Sequence, residues 1–143
     1  MLIVTVGVQA IAAAIRNAGG KRALANTIGE RDGVVIQRAN QADFTDEAWR
    51  EVQSLQHNAN GETISNAASG RKIHRGFKVG TQDRILRAGR TTGKYGFVDS
   101  IDYVNKVIYE LKPNNSKSIT LGIQQLHRYG SQMQAYKLVL VLY

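Results

Sequence analysis

Between residues 99 and 112 the chain reads Asp99-Ser-Ile-Asp102-Tyr-Val-Asn-Lys-Val-Ile-Tyr-Glu110-Leu-Lys112. Two aspartates precede a short turn, and the apolar stretch that follows ends in Glu-Leu-Lys. Carboxylate oxygens are the hard ligands that Mg²⁺ or Mn²⁺ prefers. Such a cation polarises a phosphate and lowers the pKa of a bound water. An ammonium two residues beyond Glu110 could orient that water, or stabilise charge on the phosphorane. The second is the natural role for a lysine beside two carboxylates. These residue types at this spacing suit metal-assisted hydrolysis of a phosphodiester.

A hairpin has to position them. Glu110 and Lys112 are two apart, so on a strand they share a face. A two-residue turn at 104–105 sets Asp99 opposite Glu110. A three-residue turn at 104–106 sets Ser100 there and brings Asp102 onto the Glu110 face. Matching Val107, Tyr109 and Leu111 with Phe97, Ile101 and Tyr103 favours the longer turn, and a bulge would change the pairing again. Asp99, Asp102 and Glu110 are therefore all candidate metal ligands.

Around the hairpin, Thr45 reads as an N-cap, with Asp46 and Glu47 in the first turn. Phe44, Ala48, Val52 and Leu55 recur at helical spacing, which predicts a helix over 45–58. Trp49 lies beside that stripe and is expected in the core. Residues 17–33 are rich in Gly, Asn and charge and read as loop or broken helix. Val34–Ile36 reads as an edge strand, and the basic stretch 71–94 as strand and loop. Pro113-Asn-Asn115 should stop the second hairpin strand. Ser116 or Ser118 should then cap a helix with the stripe Ile119, Gly122, Ile123, Leu126, ended by Gly130. Lys137–Tyr143 is a continuous apolar run, as in a strand buried on both faces. The order predicts an α/β fold with a mixed β-sheet flanked by helices. Residues 1–33 are expected to be an N-terminal extension or linker, and 34–143 the domain.

With 143 residues there is enough chain for one proper core. The absence of cysteine excludes disulfides and thiolate metal sites. Residues 2–15 are apolar but too short and interrupted to span a bilayer, and they lack the basic start of a signal peptide. His57, His74 and His127 have no metal-ligand spacing, and Gly89–Gly93 is not a P-loop. The net charge of +8 is concentrated. Residues 71–94 hold eight Lys or Arg against Asp83, so they carry +7 of it. No acidic residue follows Glu110. A basic patch beside candidate metal ligands points to a polyanionic partner, most simply nucleic acid, with Arg84, Arg87, Arg90 and Lys94 as its contacts.

The pattern resembles the PD-(D/E)xK nuclease superfamily, which has a restriction-endonuclease-like core. Asp99 matches its aspartate, and Glu110 and Lys112 match its Glu-x-Lys. Gln125 and Tyr129 match the Gln-x-x-x-Tyr helix motif of the RecB-like branch. The run Ile108–Asn115 with Gln124-Gln-Leu126 is similar to restriction-endonuclease-fold toxin domains of bacterial polymorphic toxins and secreted effectors. Val98 stands where the superfamily name has proline. The helix before the hairpin often adds a glutamate, for which Glu47, Glu51 and Glu62 are candidates.

The resemblance implies catalysis by Asp99, Glu110, Lys112 and Gln125, with nucleic-acid contacts extended to Tyr129. It implies cleavage of DNA, less often RNA, in the cytoplasm of a target cell. It also implies that the chain is the C-terminal part of a larger secreted protein and that an immunity protein, expected to be acidic, neutralises it. Two alternatives are a housekeeping repair or junction-resolving nuclease, which would not be toxic, and a non-catalytic basic nucleic-acid-binding module.

Overall fold

A computed structural model describes residues 26–81 and 98–143. The apolar stretch 2–15 and the basic residues Arg84, Arg87, Arg90 and Lys94 lie outside them. Five strands form one sheet: β1 (Thr27–Arg31), β2 (Val34–Arg38), β3 (Ser100–Asp102), β4 (Val107–Lys112) and β5 (Lys137–Leu142). Their spatial order is β1-β2-β5-β4-β3. The two outer pairs are antiparallel, and β2, β5 and β4 run parallel. The expected mixed sheet flanked by helices is the observed architecture.

Alternation along the strands divides the interior. Ile108, Leu140 and Ile36 pack under helix α3 (Ser116–Gly130) with Ile119, Ile123, Leu126 and Tyr129. On the other face, Val107, Tyr109, Leu111, Val139 and Val141 pack with Phe44, Ala48 and Ile73. Those last residues bring in helices α1 (Asp46–Ser54) and α2 (Ala67–Arg75). β5 lies mid-sheet with both faces covered, as its unbroken apolar run requires. Trp49 joins this second core, its ring centroid 5.9 Å from that of Phe44.

Caps set the helix boundaries. Thr45 accepts from the Ala48 N–H at 3.2 Å and starts α1, which ends at Ser54 rather than 58. α3 is capped by Asn115, not by Ser116 or Ser118; Asn115 Oδ1 accepts from the Ser118 N–H at 2.8 Å. Its amide also donates to the Thr63 carbonyl at 2.9 Å, tying the loop before α2 to the start of α3. Glu62 accepts from the Ser116 N–H and hydroxyl in the same first turn.

Three expectations are corrected. First, residues 27–31, read as loop and placed in the 1–33 extension, form β1. Asp32 and Gly33 both have positive φ, 53° and 78°, which is the backbone of a tight primed hairpin turn. β2 is consequently interior, not an edge. Second, residues 71–75 are helical, not strand or loop. Asn66 caps α2 by accepting from the Ser69 N–H at 3.0 Å, and Ile73 supplies its one fully buried side chain. Third, the β3–β4 register pairs Asp102 with Val107 and Ser100 with Tyr109, the register of the shorter turn.

Asn115→Ala should remove the α3 cap and the Thr63 tether together. We expect a loss of about 1–2 kcal/mol in urea unfolding, with the m-value unchanged.

Candidate active site

The register decides which aspartate meets Glu110. The ladder ends at Ser100–Tyr109; one step beyond it, Asp99 stands across from Glu110 at the end of the hairpin. Asp102, paired with Val107, falls on the face away from Glu110, and its carboxylate is spent on the turn. It accepts from the N–H groups of Val104 and Asn105, each at 3.0 Å, and from the Asn105 side-chain amide at 2.9 Å. Of the two aspartates, only Asp99 has its carboxylate beside that of Glu110.

Asp99 is held from three sides. Its Oδ2 accepts from the Leu111 N–H at 2.8 Å and lies 3.2 Å from His74 Nε2 on α2. Its carboxyl also shares a hydrogen bond with Glu110. Burial pushes Asp99 up, but His74, Glu110 and the Leu111 N–H together outweigh it and hold Asp99 below the usual carboxylate range. Glu110, 3% exposed, is pushed well above that range, first by burial and then by the charge and hydrogen bond of Asp99. Lys112 opposes that shift. Two adjacent carboxyls in this setting resist ionising together, and the burden falls on Glu110.

His74 was not foreseen as part of the site. Its Nδ1–H donates to the Gly70 carbonyl at 2.7 Å, so Nε2 can donate to Asp99 only as an imidazolium. Burial lowers His74, while the hydrogen bond and charge of Asp99 and the Gly70 carbonyl raise it further, leaving it above its ordinary value. The three candidate glutamates go elsewhere. Glu51 is bound to Lys72 at 3.0 Å and to Ser69, Glu62 accepts from Ser116 in the first turn of α3, and Glu47 is exposed on the first turn of α1. The signal available for His74 was helical: the Asn66 cap followed by Ala67-Ala68, with Ile73 facing the core.

α3 roofs the Glu110 face. A Cβ on Gly122 would come within 3.0 Å of Lys112 Cγ, so glycine there lets the helix pass close over the lysine stem. Gln125 is one turn further along, and its Oε1 is buried without a hydrogen-bond partner among the described residues. Tyr129 is 1% exposed. Burial, then the charges of Glu110 and Asp99, push its phenol well up. The Tyr129 side chain is thus enclosed, with its phenol within electrostatic reach of both carboxylates. His127 points away and meets the Asp32 carbonyl at 2.7 Å.

Beside the carboxylates opens a cleft of about 1110 Å³, lined among others by Arg71, His74, Arg75, Lys112, Ser118 and Tyr143. Burial and the charge of Asp99 push the Tyr143 phenol up to about 12. Among the described residues no group of three His, Cys, Asp or Glu forms a ready metal cage. The donor set still fits a hard divalent cation. Two adjacent carboxyls burdened by like charge, and an orphaned amide oxygen on the helix above them, are all oxygen donors.

The α/β sheet and this hairpin define a restriction-endonuclease-like protein. The chain belongs to the restriction endonuclease fold toxin 9 family (Tox-REase-9), which matches residues 62–139, more than half of its length. That membership points to a nuclease toxin. No curated protein and no solved structure matches the chain. Among the described residues, no helix is long and apolar enough to cross a membrane.

The proton on Glu110 gives a direct test. Its folded pKa lies above its unfolded value of about 4.3, so the folded state holds the proton more tightly. The stability so gained is complete below the unfolded pKa and is lost as pH rises through the folded one. In chelator, Glu110→Gln should match wild type near pH 4. It should gain on wild type above that, by up to about 1.4 kcal/mol per pH unit, in thermal or urea unfolding.

Proposed function

We propose that this domain is a metal-dependent nuclease that hydrolyses phosphodiester bonds of DNA and acts as a delivered antibacterial toxin. The arrangement that carries the reading is the buried Asp99–Glu110 pair, with Lys112 on the same strand face as Glu110 and a cation-lined cleft beside it. Asp99 and Glu110 are the ligands for Mg²⁺ or Mn²⁺, with the Gln125 amide oxygen available as a further donor. When bound, the metal supplies charge neutralisation at the scissile phosphate and acidifies a water.

The chain's own residues do the rest. His74 and the Leu111 N–H hold the Asp99 carboxylate in one orientation. Lys112 places an ammonium where negative charge grows on the phosphorane and hydrogen-bonds the attacking water. Tyr129 and the α3 stripe keep bulk water from the back of Glu110, which strengthens each of these interactions. The family's toxin character supports action in the cytoplasm of a target cell, after delivery as part of a larger secreted protein. An acidic immunity protein suits a chain of net charge +8.

Purified protein should degrade plasmid DNA with Mg²⁺ and stop when a chelator is added. Glu110→Ala and Lys112→Ala should each lower the rate by about 100-fold or more. Full activity in either variant would refute the assignment. Induced expression should kill a bacterium and damage its nucleoid with wild type but not with Glu110→Ala.

A further inference from the structure

Helix α2 carries three exposed cations, Arg71, Lys72 and Arg75. They are not equivalent. Lys72 is neutralised by Glu51, its Nζ 3.0 Å from Oε1. Arg71 and Arg75 make no ion pair among the described residues, and both line the cleft beside the carboxylates. Glu47 lines a neighbouring small pocket with Arg75 without pairing to it. None of the described residues that line the main cleft is acidic, and Lys112 lines it as well.

Spacing gives this face a direction. Arg71 and Arg75 are four residues apart, one above the other on the helix at about 5–6 Å between Cβ atoms. His74, on the same turn as Arg75, reaches Asp99 at 3.2 Å. Arg75 is therefore at the carboxylate end of the row, and Arg71 lies one turn further toward the start of α2. Two guanidiniums in line, opening onto solvent and leading away from a phosphodiester-hydrolysing centre, match successive phosphates of one strand. Arginine favours phosphate because its planar fork can make two hydrogen bonds at once.

The geometry points to α2 as the track for the substrate backbone, with Arg75 and Arg71 holding consecutive phosphates on one side of the scissile bond. This assignment rests on the nuclease reading above. It adds Arg71 and Arg75 to the nucleic-acid contacts expected from the sequence.

The test measures binding of a short fluorescein-labelled DNA duplex to the full chain by anisotropy, in chelator, over a range of NaCl concentrations. Arg71→Ala and Arg75→Ala should each weaken binding and flatten the slope of log K against log salt by about one, and the double variant by about two. Lys72→Ala should keep the wild-type slope. Arg71→Lys with Arg75→Lys should restore the slope while leaving affinity below wild type, which separates charge from folding. A wild-type slope in the double alanine variant, or no duplex binding by wild type, would overturn the track. Cleavage of the same duplex by wild type in Mg²⁺ is scored separately. Slope loss without any cleavage refutes the nuclease reading, and with it the scissile bond, and leaves α2 as a phosphate-binding surface alone. Cleavage with an unchanged slope refutes the track alone.

Discussion

Glu110 sits almost fully buried in the second strand from one edge of the sheet, with the Asp99 carboxyl against its own. Burying one carboxylate is costly, and burying two in contact is possible only with a shared proton, a cation or strong donors. Among the described residues, hydrogen-bond donors from the surroundings reach Asp99, while Glu110 has the charge of Lys112. Asp99 receives the Leu111 N–H and His74, and Glu110 receives the strain. Much of the architecture serves this pair. β4 presents Glu110 and Lys112 on one face, α3 closes that face, and α2 crosses the opposite side to bring His74 to Asp99. Under the proposed function a divalent cation would relieve the repulsion between these two carboxyls.

The same arrangement explains why the two sheet faces are divided as they are. Val107, Tyr109 and Leu111 anchor β4 to α1 and α2. The alternate positions are thereby released from packing at the C-terminal end of the strand, where Glu110 and Lys112 stand. Gly122 is the counterpart on α3, since a larger residue there would press on the lysine stem and on Leu140. On α2, Lys72 is paired with Glu51, while Arg71 and Arg75 line the cleft and make no ion pair among the described residues.

Strand β4, its Glu-x-Lys face and the helix that follows were legible because each signal is local: an alternating apolar run, a Pro-Asn-Asn stop and a 3.6-residue stripe. The hairpin register was not. Apolar matching favoured the longer turn, whereas the observed pairing is locked by the Asp102 side chain bonding the turn backbone, a preference that hydrophobic pattern does not encode. β1 was hidden for a different reason. Asp32-Gly33 carries a strong hairpin signal, but the glycines and charges around it read as loop. His74 was invisible because its partner lies 25 positions away across the sheet, and no spacing rule reports such a contact. The depth of Tyr129 likewise follows from how α3 docks, which the Gln-x-x-x-Tyr match alone does not convey.

Metal titration by calorimetry in buffers of different ionisation enthalpy tests the proton on Glu110 most directly. Binding of Mn²⁺ to wild type should release protons, because the cation competes with the proton that burial and Asp99 favour on Glu110. Glu110→Gln should release none and bind more weakly. Binding by wild type without proton release, or unchanged affinity in Asp99→Asn with Glu110→Gln, would contradict the account.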